Sequence, residues 1–292
     1  MEHTAGSVFQ TLGEVMQPAD PYAPARSVTH LADCFFYHSI NLPGFGLISG
    51  EWDLQAGIER YLGGVGFAGK RVLDVGAASG FLTFTMERAG ADVVSYDLSP
   101  EHCWDIVPFA GMNLSHSQDL FRDAARRINN GYWLCHRVLH SRARMVHGTV
   151  YTIPASIGPV DIVTVGSMLL HVRDPFLALQ KALQNCRETA IVTELIPRRR
   201  FLSWLFGISF RPQMTLLPRI DDVGTQGGWW YLSPEVIRRF LGVLGFEDTR
   251  ITYHSQLFKG SRRLLYTIVG QRTRPAPNLP AFGQTGHSAQ VA

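Results

Sequence analysis

The chain has 292 residues, 46% of them hydrophobic and 17% charged, with a formal net charge of +3. That composition suits a globular protein able to bury a sizeable core, as one large α/β domain with additions or as two small ones. The charge is too small to argue for a nucleic-acid partner by itself, so none is expected. Cys34, Cys103, Cys135 and Cys186 are scattered without a C-x-x-C pair. This spacing fits free thiols in a reducing cytoplasm better than a disulfide framework or a zinc site, so no metal is expected. The first residues lack the apolar core of a signal peptide, and no apolar run reaches the ~18 residues that a membrane span needs.

Residues 1–45 read as an N-terminal extension punctuated by Pro18, Pro21 and Pro24, with a helix expected over Val28 to Phe36. His38 to Gly46 reads as a polar, glycine-rich loop, equally suited to a surface connection or a binding loop. An amphipathic helix is expected from Glu51 to Leu62, with Trp52, Leu54, Ile58 and Leu62 on its apolar face. Val72-Leu73-Asp74-Val75 is a short apolar run that reads as a buried parallel strand. It enters the small-residue turn Gly76-Ala77-Ala78-Ser79-Gly80, and a helical pattern starts at Phe81. Glycines there let backbone approach a ligand, and the helix N-terminus offers free N–H groups. Ala78 and Phe81 stand where the dinucleotide fingerprint needs glycine, and no Gly-Lys-Ser/Thr follows to make a phosphate loop.

The next strand, Ala91 to Asp97, ends in an acid seventeen residues beyond Gly80. An acid at that strand tip can accept both hydroxyls of a ribose. Ser99-Pro100-Glu101 reads as the capped start of a helix. One or two added helices are expected between Gly111 and Ser141. Six arginines (Arg122, Arg126, Arg127, Arg137, Arg142, Arg144) fall between Phe121 and Val150, a solvated face or a patch for an anion. Ala143 to His147 reads as the third strand, Tyr151 to Pro154 as a loop, Val160 to Gly166 as the fourth strand and Ala190 to Ile196 as the fifth. Pro175 opens the helix between the last two. Ser233 to Leu244 is a further capped helix, followed by strands over Phe246 to His254 and Arg263 to Val269. Strands alternating with helices at this spacing make a doubly wound parallel sheet.

The pattern D-x-G-x-x-x-G with Asp74 on the strand, joined to Asp97, resembles motif I and its partner acid in the class I S-adenosylmethionine (SAM) methyltransferases. The resemblance covers roughly residues 38 to 270. It implies a Rossmann-like, seven-stranded sheet whose last strand runs antiparallel, in a domain over 46–272 with a lid insertion at about 197–230; the tail over 273–292, with Pro275, Pro277 and Pro280, reads as disordered. SAM is the implied cofactor. Its expected contacts are Asp74, Gly76, Ala77, Ser79, Gly80 and Phe81 from the motif, Asp97 and Leu98 on the ribose side, Thr149 and Val150 at the adenine, and Ser167 and Met168 after the fourth strand. The family often has an acid where Thr149 stands.

His171 is the candidate base, since an imidazole there can take a proton from a hydroxyl as methyl arrives; tying the loop by hydrogen bonds is the competing role. Leu169-Leu170-His171-Val172-Arg173-Asp174-Pro175, with Gly50-Glu51-Trp52 and Trp229-Trp230, is similar to a branch that includes tRNA wobble-uridine carboxymethyltransferases. That branch has a tyrosine where this chain has Leu170, and a basic segment that Leu42 to Ser49 lacks. Ordinary SAM and a small-molecule acceptor are therefore expected, with methylation at oxygen. A tRNA-modifying enzyme and a non-catalytic SAM-binding protein are the alternatives. His38, Trp52, Trp204, Trp229 and Trp230 are the expected acceptor contacts, suiting a hydrophobic or aromatic molecule. Arg198-Arg199-Arg200 beside the apolar run Phe201 to Phe210 equally suits an anionic membrane surface.

Overall fold

The computed structural model describes residues 20–196, 211–219 and 228–276. Trp204, the Arg198 to Arg200 run and most of the expected lid and tail lie outside the described residues. A hairpin of β1 (Ile40–Leu42) and β2 (Gly46–Ile48) occupies the stretch read as a polar loop. Trp52–Asp53 then forms β3, a 3-10 turn covers Gln55–Gly57, and only Ile58–Tyr61 is α-helical (α1). The single helix expected over Glu51 to Leu62 is thus corrected. Trp52 leaves the helical register to pair with Phe258 and pack on its ring, and burial of that aromatic pair overrides local periodicity.

Residue alternation builds the main sheet. The strands are β4 (Arg71–Val75), β5 (Asp92–Asp97), β6 (Arg144–His147), β7 (Val160–Gly166), β8 (Cys186–Ile196), β11 (Asp248–Phe258) and β12 (Ser261–Gln271). They join in the order β3-β11-β12-β8-β7-β4-β5-β6. The sheet has eight strands rather than seven, the added one being the two-residue β3 at the edge. Strands β8, β7, β4, β5 and β6 are mutually parallel, and β12 runs antiparallel between β8 and β11. Val72, Ile162 and Ile191 face one core and Leu73, Val163 and Val192 the other, so both faces of the parallel strands are covered. A small separate hairpin pairs β9 (Met214–Leu216) with β10 (Trp230–Leu232).

Helix α2 (Phe81–Arg88) starts at Gly80, whose φ of 88° is left-handed. A Cβ there would stand 2.3 Å from the Phe84 ring, so glycine is required by both conformation and space. No helix begins at Ser99: its hydroxyl bonds the Glu101 N–H and the His102 ring, closing a local turn instead. The added segment is one long helix, α3 (Leu114–Val138), capped by Asn113, which accepts the His116 N–H. Asp174 caps α4 (Pro175–Leu183) and Ser233 caps α5 (Pro234–Val243), each with proline at its first turn. The expected helix over Val28 to Phe36 shrinks to a 3-10 turn, Leu31–Asp33, and the loop after β6 is two 3-10 turns.

Candidate functional site

Strand order reverses beside β4, since β5 lies on one side of it and β7 on the other, and a crevice opens beyond their carboxyl ends. A cavity of about 1030 Å³ sits there. Small-molecule sites run to roughly 300–1,000 Å³, so this one has room for a nucleoside cofactor together with a second molecule. Its floor is made by the turns after β4 and β7. Both turns hold a non-glycine residue in left-handed conformation, Ala78 at φ 48° and Ser167 at φ 50°. Such residues persist only where their surroundings hold them.

Asp97 holds the first turn. Its carboxylate accepts the Ala78 N–H at 2.6 Å and the Leu98 N–H at 2.7 Å. Burial pushes it up to about 6, against the pull of those two donors. Asp74 has a different task. It is fully buried and accepts the hydroxyls of Thr83 and Thr164, which tie α2 and β7 to β4.

The expected cofactor contacts divide accordingly. Gly76, Asp97, Leu98, Thr149, Val150, Ser167 and Met168 line the cavity, and so does Ala78, which the sequence reading passed over. Asp74, Ala77, Ser79, Gly80 and Phe81 stand behind the wall. Ser79 is occupied there, its hydroxyl accepting the Tyr37 N–H at 3.1 Å. Thr149 bonds Thr152 and gives its carbonyl to the Tyr96 hydroxyl.

His171 lines the cavity at the end of the 3-10 turn Leu169–His171, its ring 6.3 Å from that of Trp104. Beneath this turn lies Glu194, which the sequence reading missed. It is 2% exposed, accepts the Leu169 N–H at 2.9 Å, and faces the N–H groups of Met168, Leu170 and Leu195. Burial pushes its carboxyl up to about 8 despite those donors. An acid inside the apolar run of β8 was the available signal, because a buried carboxylate is costly unless it holds something.

The expected acceptor contacts are brought together only in part. Trp52 lines the cavity and packs at a tilt against Phe258, with 4.8 Å between ring centres. Trp229 and Trp230 do not reach it. They brace the loop from outside, with the Trp229 indole N–H on the Asp105 carbonyl and the Trp230 indole N–H on that of Arg173. Their indole N–H groups are satisfied by the backbone of two wall residues. His38 is also behind the wall, packed on Phe81, and burial lowers it to about 3. Its neighbour Tyr37 lines the cavity instead, with Phe35, Glu51, Trp104, Phe258 and Arg263. Asp105, another wall residue, accepts the hydroxyl of Tyr151 and both the backbone and side-chain N–H of Arg173, which ties three loops at the rim. Among the described residues no cluster of three or more side chains could hold a metal ion, and no helix is long and apolar enough to cross a membrane.

The family described as Methyltransferase domain matches residues 52–250, and the chain belongs to it. It is a class I SAM-dependent methyltransferase of α/β fold, and SAM is its cofactor. Among its relatives is the ubiquinone biosynthesis O-methyltransferase of Aromatoleum aromaticum, 28% identical over 64% of this chain and 68% of that one. The protein of the same name from Psychrobacter arcticus is 29% identical over 62% of this chain, a match that spans 61% of the relative's length. Magnesium protoporphyrin IX methyltransferase from Synechocystis PCC 6803, solved with bound SAH, is 15% identical with a TM-score of 0.44, over 71% of this chain and 76% of that one.

Proposed function

We propose that the protein transfers methyl from SAM to a hydroxyl of a small, largely aromatic or hydrophobic acceptor. The observation that carries this reading is one cavity lined both by the Gly76–Ala78 turn, Asp97 and His171 and by Trp52, Trp104 and Phe258. SAM supplies an electrophilic methyl on a sulfonium, so the chain has to align two molecules and dispose of one proton. Asp97 accepts the ribose hydroxyls with lone pairs that Ala78 and Leu98 leave free. Leu98, Thr149 and Val150 border the base, while Gly76 and Ser167–Met168 border the amino-acid end. His171 takes the proton from the acceptor hydroxyl.

The curated relatives named O-methyltransferases support oxygen as the target. A tRNA acceptor is less well supported. Arg122, Arg126 and Arg144, from the arginine-rich stretch, are engaged by Asp119, Asp123 and Asp92. The test is transfer of labelled methyl to small phenols and catechols by the purified protein. His171→Ala is expected to keep SAM affinity and to lower kcat by roughly 10²–10⁴-fold. A stable variant with most of its activity left would remove the base and leave alignment as the whole mechanism.

A further inference from the structure

We infer that the acceptor carries an anionic group and that Arg263 selects it. The inference rests on the methyltransferase reading of the cavity. Arg263 sits near the start of β12, one residue before Leu264, which pairs with Ile196 at the end of β8. It therefore stands past the carboxyl end of β8, on the far side of β7 from Gly76 and Asp97. Its side chain is half-buried and lines the cavity, with the guanidinium 5.6 Å from the centre of the Phe258 ring.

Each acid of the cavity wall already has its partner. Glu51 bonds Lys259 at 2.7 Å, Asp105 is paired with Arg173 and Asp123 with Arg126, while Asp97 is held by two N–H groups. Arg263 has no carboxylate within ion-pair distance among the described residues. A guanidinium in an aromatic wall, with no partner for its forked donors among the described residues, suits a carboxylate or a similar planar or tetrahedral anion. Trp52 and Phe258 beside it suit the ring or chain that carries the anion. The acceptor so defined is amphiphilic: its hydroxyl meets His171, its apolar body meets the aromatic wall, and its anionic end meets Arg263.

The carboxylate of SAM is the competing occupant of Arg263, and the experiment separates the two. Protein saturated with SAH is titrated calorimetrically with 3,4-dihydroxycinnamate and with its neutral amide. The wild type is expected to bind the acid about 10–100-fold more tightly than the amide, as for a charge-assisted pair. Arg263→Gln is expected to erase that preference, Arg263→Lys to keep part of it, and both to leave SAH affinity and melting temperature unchanged. Equal binding of the two compounds by the wild type, binding of neither, or a preference that survives in Arg263→Gln would overturn the inference. So would a loss of SAH affinity in Arg263→Gln, which would give the arginine to the cofactor. Failure of the wild type to bind SAH would instead strike the functional reading beneath it.

Discussion

At the end over β4 and β5, the cavity takes Val75, Gly76, Ala78, Tyr96, Asp97 and Leu98 from one run of chain; past β8 the wall is gathered from Tyr37, Trp52, Leu195, Phe258 and Arg263. The first end works mainly through backbone. Its turns point N–H groups at the half-buried Asp97 carboxylate, and its geometry depends on φ angles that few residues adopt. The second end works through large side chains that meet only because β12 enters the sheet antiparallel and β3 pairs with β11. A cofactor shared by many enzymes can be held by a local strand–turn–helix unit. A particular acceptor is met by residues that can vary independently of that unit.

The largest effect is expected where the first end is broken. Gly76 has φ 79°, and a Cβ there would stand 3.3 Å from Cγ of Met168. Gly76→Val adds a branched side chain in a conformation it rarely adopts, in the space where the turn meets the residues after β7. Calorimetry is expected to show no measurable SAH binding by a folded variant. Near-normal affinity would mean that the turn is only a packing device.

A smaller effect sharpens what joins the two ends. Glu194 lies under the turn that carries His171, and burial holds it at about 8. The native state therefore keeps a proton that the unfolded chain gives up above about 4.5, so stability falls as pH rises through the interval up to about 8. Asp97, raised to about 6, adds the same sign at lower pH, and His38, lowered to about 3, adds the opposite sign below the usual imidazole range. Between about pH 6.5 and 8.5 the slope belongs mainly to Glu194, worth about 2 kcal/mol or several degrees of melting temperature. Glu194→Gln stays neutral and should flatten the curve. An unchanged slope would place the titration elsewhere.

The same contrast explains what the sequence disclosed. Asp74, the Gly76–Gly80 turn and Asp97 lie within one strand–turn–helix–strand run, where period, glycine placement and a strand-ending acid are local signals. Even there, the sequence did not tell Ala78 from Ala77, because only φ decides which backbone faces the cavity. Trp229 and Trp230 looked like acceptor contacts by composition, yet their indoles are spent on Asp105 and Arg173. Tyr37, Phe258 and Arg263 carry no local pattern at all. Their meeting at one wall follows from register, and register across 226 residues is set by the folded sheet rather than by any neighbouring residue.

If the strand-end cavity holds SAM by its ribose on Asp97, calorimetric titration of SAH into the wild type and Asp97→Ala separates the two proteins. The variant loses charge-assisted hydrogen bonds to two hydroxyls, which amounts to about 2–4 kcal/mol, or roughly 30–1,000-fold in affinity. A melting curve recorded beside it checks that the Ala78 and Leu98 N–H groups, left without their acceptor, have not unfolded the turn. Tight binding by the wild type and that loss in a folded variant are expected; equal affinity in both would remove Asp97 from the cofactor's ribose.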